Sequence, residues 1–160
     1  MPIVLVRVDC RLIHGQVVET WVPHTGADCL LVANDDLVAN SFLRSVMEMA
    51  VPAGVRVAFC TVEDVPRVMS EIDRNGGKAI LLCASSGDAL EIYRGGVRFA
   101  NLNIGNLHYA SGKVEIAPSV FFAREDFEAV DCLSHLGVSV TVRATPFEPA
   151  TCLGAGEEDG

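Results

Sequence analysis

Residues 3–16 read IVLVRVDCRLIHGQ, a hydrophobic run that leads directly into a polar segment with one histidine. The run at 3–8 is rich in Val, Ile and Leu and predicts a buried strand, and a helical pattern begins at Gly15. In an open α/β sheet, ligands collect at the carboxyl ends of strands, and a helix N-terminus there offers unpaired N–H groups to an anion. Histidine is a nucleophile and proton carrier near neutral pH. The junction therefore predicts a site where a phosphoryl group binds to, or passes through, His14.

Short apolar runs and helical patterns alternate along the rest of the chain. The predicted strands lie at 3–8, 28–33, 55–60, 78–84, 99–104 and 138–143, and the predicted helices at about 15–22, 37–50, 62–75, 87–94 and 124–136. Nearly continuous hydrophobic strands separated by helices are typical of a parallel sheet that is covered on both faces. We therefore predict an α/β fold, a single domain with an open, mostly parallel β-sheet and helices on both faces.

Two segments depart from this alternation. Residues 105–120 carry Gly and Pro around short extended pieces and predict a hairpin excursion instead of another strand and helix. Residues 146–160 are acidic and poor in apolar side chains, which predicts a disordered tail. The folded domain is expected to cover residues 1–145.

Composition and charge narrow the functional classes. A net charge of −9 argues against a nucleic-acid partner, because a phosphate backbone requires a basic face. No apolar run reaches the roughly 18 to 20 residues of a membrane span, and no signal-peptide pattern opens the sequence. We therefore expect a cytoplasmic protein, and its apolar content permits a homo-oligomer.

The cysteines and glycines indicate neither a metal nor a nucleotide. None of the six cysteines forms a CxxC pair, so they are expected to be reduced thiols without a metal. The nucleotide-binding patterns GxGxxG and GxxxxGK(S/T) are both missing from the sequence. No cofactor is expected.

The residues around His14 suit a phosphate. Arg7 and Arg11 can pair with phosphate oxygens, and Gly15 lets the backbone approach a ligand closely. Asp9 has three open interpretations: it fixes the tautomer of His14, it orients Arg11, or it caps the loop.

Three other side chains compete for a role in the site. Cys10 follows the first strand, but the cysteine-phosphatase pattern requires an arginine where Gln16 stands, so His14 remains the preferred acceptor. His108 follows a later predicted strand and either lines the same edge or is an exposed loop histidine. Asp35 caps a predicted helix and could also reach the pocket.

The segment RVDCRLIHGQV at 7–17 resembles the active-site segment of the IIB component of bacterial sugar phosphotransferase systems (PTS) of the mannose/fructose/sorbose family. That family's pattern is approximately R-(I/V)-D-x-R-L-I-H-G-Q-V. Further matches are ANDD at 33–36, AVP at 50–52, and the segment 103–113, which contains NIG, HY and GK. The resemblance covers about residues 2–145 and its first motif is long and specific.

The resemblance implies a protein-histidine phosphotransferase. His14 would accept a phosphoryl group from the IIA component and donate it to a sugar taken up through the IIC and IID membrane components. Arg11 would cradle the phosphate with support from Asp9. Arg7, Gly15 and Gln16 complete the expected phosphate-binding set.

Two positions depart from the family pattern. Cys10 stands where the family often has an acidic or small polar residue, and Asn106 replaces a common second glycine. Both bear on the shape of the active-site loop and on partner choice. The alternative function is a regulatory phosphoprotein or binding module of the same fold that is not coupled to sugar transport.

Overall fold

Strands and helices alternate along residues 2–153, the part of the chain that the computed structural model describes. The strands are β1 (Ile3–Asp9), β2 (Cys29–Ala33), β3 (Arg56–Cys60), β4 (Ala79–Cys83), β5 (Asn101–Asn106), β6 (Val114–Ala117), β7 (Val120–Phe122), β8 (Ser139–Val142) and β9 (Thr151–Leu153). The α-helices are α1 (Val22–Thr25), α2 (Asp35–Val38), α3 (Ser41–Met49), α4 (Val65–Arg74), α5 (Ser86–Arg94) and α6 (Arg124–His135), and a π-helical segment (Val17–Trp21) leads into α1.

Seven strands form one sheet in the order β3-β2-β4-β1-β5-β8-β9. All pairs in it are parallel except β8 with β9. β2 and β4 are buried throughout, because the π-helical segment, α1 and α2 cover one face and α4, α5 and α6 cover the other. The predicted mostly parallel α/β sheet with helices on both faces is confirmed. No helix within residues 2–153 has the length and apolar character needed to cross a membrane.

The predicted hairpin excursion is present. β6 and β7 pair antiparallel beyond the end of β5, and Leu107 and Val120 form an isolated bridge that ties this hairpin to the main sheet. The hairpin therefore stands at the edge of the sheet where β5 ends.

The predicted helix 37–50 is two helices. Asn34 accepts a hydrogen bond from the Leu37 amide and starts α2, and Asn40 accepts one from the Leu43 amide and starts α3. The second cap breaks the helical pattern because the Asn40 side chain takes over an N–H that a continuous helix would use internally.

The expectation of a disordered tail at 146–160 is wrong for its central part. Residues 151–153 form β9, which pairs antiparallel with β8 at the edge of the sheet. Ladder hydrogen bonds to β8 order this short segment, although it lies in a stretch that is acidic and poor in apolar side chains overall. The rest of the predicted tail, residues 154–160, lies outside the described residues.

β5 and β8 differ from the continuously apolar strands that the sequence suggested. Their buried residues, such as Leu102 and Val140, pack into the core under α5 and α6. The alternate positions, which include Asn101, Asn103 and Thr141, are polar and line an open groove on the α1 side of the sheet. Helices therefore leave part of this face uncovered.

The centre of the sheet provides a test of the core. Leu81 is fully buried in β4, between Val6 of β1 and Leu31 of β2. We expect Leu81→Ala to lower the free energy of unfolding by about 2–5 kcal/mol in urea denaturation, because it leaves a cavity between packed strands. The control Val114→Ala, at a position 56% exposed, should change it by less than about 0.5 kcal/mol. Equal effects of the two substitutions would contradict this packing.

Candidate functional site

The loop after β1 holds His14 at the carboxyl edge of the sheet. The loop begins with a tight turn directly after β1, in which the Leu12 amide donates a hydrogen bond to the Asp9 carbonyl at 3.0 Å. Leu12 has a φ of 57°, a left-handed conformation that is uncommon for a non-glycine residue. Leu12 and Ile13 are both buried beside the π-helical segment, and their burial holds this conformation. Helical backbone begins directly after His14, as the sequence predicts.

The His14 ring has one occupied and one unpartnered nitrogen. Nε2 lies 2.7 Å from Oδ2 of Asp9. Nδ1 is buried and has no hydrogen-bond partner among the described residues. An ionised carboxylate can only accept hydrogen bonds, so Nε2 carries the proton and Nδ1 carries the free lone pair. Of the three interpretations of Asp9, the structure supports two: Oδ2 fixes the His14 tautomer, and Oδ1 caps the loop by accepting from the Arg11 amide.

Asp9 is fully buried and is held as a carboxylate by several donors. Its Oδ2 accepts from Arg7 Nε (3.1 Å), Arg7 Nη2 (3.0 Å) and Asn106 Nδ2 (2.9 Å), and its Oδ1 accepts from the Arg11 amide (2.9 Å). Burial alone would raise the pKa of Asp9. The hydrogen bonds from His14 and Asn106, together with the charge of Arg7, outweigh burial and lower this pKa below its ordinary value.

Arg7 is a buried support and not a phosphate ligand. Besides its bonds to Asp9, it donates to Asn103 Oδ1 (2.6 Å), the Arg143 carbonyl (3.2 Å) and Gln16 Oε1 (2.6 Å). These contacts use the five N–H donors of its guanidinium, and the side chain is 0% exposed. The expectation that Arg7 binds phosphate directly is therefore wrong. Burial lowers the pKa of Arg7, and the charge of Asp9 opposes that shift.

Gly105 makes room for Arg7. A Cβ atom at this position would lie 1.9 Å from Arg7 Nη2 and 2.0 Å from Cζ, far inside van der Waals contact. Only glycine leaves space for a planar guanidinium against the β5 backbone. Sequence reasoning gave neither Gly105 nor Asn103 a role in the site. The feature of the sequence that could have indicated these roles is the alternation NLNIGN in β5, in which polar or small residues face the position of Arg7.

Asn106 and Gln16 complete the support of Asp9. Asn106 Nδ2 donates both to Asp9 and to Gln16 Oε1, the latter at 3.0 Å. Gln16 Oε1 also accepts from Arg7, so this oxygen belongs to the buried network. Asn106, a departure from the family pattern, is therefore an integral part of the site.

The remaining candidates differ in their contacts. Arg11 is exposed, and its side chain makes no hydrogen bond within residues 2–153. Gly15 is exposed at the helix start. Asp35 accepts from the Val62 amide at 2.9 Å, which ties α2 to the loop after β3, while His108 is exposed after β5. A role for either of the last two in lining the pocket stays a prediction.

Cys10 lies in the same loop as His14. Its thiol is half-buried and free, and its backbone amide donates to the Asn106 carbonyl at 2.9 Å. Within residues 2–153, no three His, Cys, Asp or Glu side chains are grouped so that they could hold a metal ion.

The fold and this geometry define a class of protein: a parallel α/β domain that holds one histidine, oriented by a buried carboxylate and with an unpartnered Nδ1, at its carboxyl edge. The family model described as "PTS system sorbose subfamily IIB component" matches residues 3–151. The chain therefore belongs to the sorbose-subfamily IIB components of the sugar phosphotransferase system, and the resemblance noted above is confirmed.

Individual relatives agree with this assignment. The chain is 41% identical over 155 residues to the N-acetylgalactosamine-specific phosphotransferase enzyme IIB component 2 of Escherichia coli K12, covering 96% of this chain and 98% of that protein. It is 31% identical over 150 residues to the sorbose-specific EIIB component of Klebsiella pneumoniae, covering 94% of this chain and 92% of that protein. The crystal structure of the N-acetylgalactosamine-specific IIB component 1 from Escherichia coli superposes with a TM-score of 0.89 at 27% identity, covering 94% of this chain and 99% of that chain.

Gly105→Ala tests the packing of Arg7. The added Cβ displaces the guanidinium from Asp9 and Asn103, so we expect a loss of about 3–5 kcal/mol in the free energy of unfolding. In the control Gly87→Ala the new Cβ meets nothing closer than Ser85 Oγ at 3.8 Å, and the change should stay within about 1 kcal/mol. Urea denaturation of both variants measures the difference. If Gly105→Ala is as stable as the control, the packing of the Arg7 guanidinium against Gly105 is contradicted.

Asp9→Asn tests the buried charge and its pH dependence. We expect a loss of about 3–5 kcal/mol at neutral pH, because the substitution leaves Arg7 buried without its counter-charge. Since the pKa of Asp9 is lowered, the folded chain binds fewer protons than the unfolded chain just below the ordinary value of 3.8. The stability contributed by ionised Asp9 is therefore present above 3.8 and disappears as the pH falls further.

The measurement is the wild-type-minus-variant difference in unfolding free energy across pH, and this difference should shrink below pH 3.8. The matched control is Asp131→Asn, an aspartate 68% exposed beside His135, which should differ from wild type by less than about 1 kcal/mol throughout. A difference for Asp9→Asn that stays constant or widens in acid contradicts the lowered pKa.

Proposed function

We propose that this IIB component carries a phosphoryl group on Nδ1 of His14, taking it from a phosphorylated IIA component and passing it to a sugar at the IIC and IID membrane components. The proposal rests on the two nitrogens of the His14 ring. Nε2 is hydrogen-bonded to Asp9, and Nδ1 keeps a free lone pair. With these partners, we infer that the protein acts in the cytoplasm.

The first transfer is a displacement at phosphorus. The Nδ1 lone pair forms a bond to the phosphorus of the donor phosphohistidine, and the donor's own N–P bond breaks with its electron pair returning to that ring. His14 then carries imidazolium character, which the adjacent carboxylate of Asp9 stabilises at 2.7 Å. In the second transfer a sugar hydroxyl oxygen attacks the phosphorus, its proton passes to a base at the sugar site, and the electron pair returns to Nδ1.

Arg11 and the helix start are the groups available to the phosphate itself. The Arg11 guanidinium is exposed and free of other hydrogen bonds within residues 2–153, so it can pair with two phosphate oxygens. The helix beginning at Gly15 adds the positive end of its dipole. Phosphoryl transfer requires mainly alignment and charge stabilisation, which these groups supply.

Access to Nδ1 requires movement. The His14 side chain is only 8% exposed, so a donor reaches the ring after neighbouring loop side chains move aside. We infer that contact with a partner surface at the carboxyl edge drives this movement and excludes water from the phosphohistidine during each transfer.

Phosphorylation by a labelled phospho-IIA component tests the acceptor. We expect acid-labile phosphate on the wild-type protein, linked to Nδ1 by phosphorus NMR, and none on His14→Ala, because the only free ring lone pair in this loop is lost. Cys10→Ser is the matched control in the same loop and should be labelled like wild type. Label that persists in His14→Ala and disappears in Cys10→Ser would instead assign the acceptor to Cys10.

A second stage separates transport from regulation. Membrane vesicles that contain the IIC and IID components and a transported sugar should discharge the labelled protein, and vesicles without sugar should not. Label that stays on the protein in every case, with several IIC and IID pairs and sugars tried, would favour the regulatory phosphoprotein.

A further inference from the structure

The solvent side of α3 carries a stripe of apolar side chains. Phe42, Val46 and Met49 follow one another at helical spacing, so they lie on one side of the helix, and they are 78%, 46% and 85% exposed. All nine residues of α3 are at least partly exposed, and Met47, on another side of the helix, packs against the core. An amphipathic helix normally turns its apolar side inward. This apolar stripe therefore indicates a surface that a partner covers.

Acidic side chains gather where β2 and β4 end. Asp35 and Asp36 are exposed at the start of α2, and Asp88 and Glu91 lie in α5. Burial raises the pKa of Asp88, and so do the negative charges of the other three carboxylates, which are therefore close enough to act on it. β2 is next to β4 in the sheet, and β4 is next to β1. The acidic cluster consequently lies at the same edge of the sheet as His14.

α2 joins the acidic cluster to the apolar stripe. Asp36 and Val38, which is 36% exposed, lie in the single turn of this helix. Nη1 of Arg44 in α3 donates to the carbonyls of Leu37 and Val38, which fixes α3 against the end of α2. The acidic cluster and the apolar stripe are therefore adjacent parts of one surface, which we call the α2–α3 surface.

The chemistry of the α2–α3 surface favours one kind of partner. A second copy of the chain that docked there would bring two acidic clusters together, and an anionic lipid leaflet would repel the cluster. A basic segment that also carries apolar side chains complements both parts of the surface. The cytoplasmic loops of membrane proteins are rich in Lys and Arg, so they supply segments of this kind.

We propose that the α2–α3 surface docks a basic, amphipathic cytoplasmic segment of the IIC and IID membrane components. This inference rests on the proposed function, in which those components receive the phosphoryl group. Lys and Arg side chains of the segment pair with the acidic cluster, and its apolar side chains cover Phe42, Val46 and Met49. Docking here brings the loop of His14 to the membrane component, because that loop and the acidic cluster share one edge of the sheet.

Co-sedimentation with inside-out membrane vesicles measures the apolar part of the docking. Wild type should bind vesicles that contain the IIC and IID components and not vesicles without them. Phe42→Ala should bind about tenfold more weakly, because it removes an aromatic anchor of the stripe. The matched control is Phe147→Ala, which removes an equally exposed phenylalanine (77%) that contacts His24 outside the α2–α3 surface, and it should bind like wild type.

A pair of charge substitutions measures the acidic part. The double variant Asp36→Asn and Glu91→Gln should bind several-fold more weakly than wild type, and its binding should depend less on salt, because salt screens exposed charge pairs. The matched control removes two exposed carboxylates of α6, by Glu125→Gln and Asp131→Asn, and should bind like wild type.

Labelling by phospho-IIA separates this surface from the acceptor site. Phe42→Ala and the Asp36/Glu91 variant should both be labelled on His14 like wild type, and should then lose the label to sugar more slowly in vesicles with IIC and IID. A wild-type protein that binds through this surface and is never discharged would contradict the transport step of the proposed function and support the docking surface.

Three results overturn the inference. The first is wild-type protein that binds neither kind of vesicle, or binds both equally. The second is binding by Phe42→Ala and by the Asp36/Glu91 variant that equals wild type. The third is a loss of labelling by phospho-IIA in these variants, which would assign the α2–α3 surface to the IIA component.

Discussion

The buried ion pair between Arg7 and Asp9 is the constraint on which the candidate site around His14 depends. Both side chains are fully buried, and removing two charges from water is expensive. The cost is offset because the donors of Arg7 and the oxygens of Asp9 find partners on several elements: Asn103 and Asn106 of β5, Gln16 at the helix start, and the Arg143 carbonyl after β8. The pair therefore joins three neighbouring strands and the loop that holds His14 into one hydrogen-bonded unit, and Gly105 supplies the space without which it could not form.

This unit determines the chemistry of His14. An unpaired aspartate in such a buried position would hold a proton, but the donors around Asp9 keep its pKa low. The resulting carboxylate orients the imidazole and leaves Nδ1 with the free lone pair. Arg7 influences His14 indirectly, through its contacts with Asp9, whereas the Arg11 side chain is exposed at the surface. Two arginines four residues apart thus have opposite tasks, one structural and electrostatic, the other available to a ligand.

Much of the fold was predictable from local patterns. The strands β1 to β4 are apolar enough to be recognised directly, and α4 to α6 follow from helical spacing with their flanking turns. The predicted helix 37–50 is divided because the Asn40 side chain caps a second helix. β9 was not predicted because its order comes from pairing with β8, which local sequence patterns do not show. The sequence patterns did not predict that polar residues alternate with buried ones in β5 and β8. The role of an Asn in a strand depends on the residue that faces it, and that residue is known only from the tertiary structure.

By itself, the sequence determined the α/β class, the position of His14 at a junction between strand and helix, and the preference for histidine over Cys10 as acceptor. These conclusions rest on periodicity and on residues close together in the chain. Only the tertiary structure decided that Arg7 is buried, that Asn103, Gly105 and Asn106 support it, and that Nδ1 is the free nitrogen. The reason is physical: these contacts join residues about ninety positions apart, and their geometry exists only when β1 and β5 lie side by side.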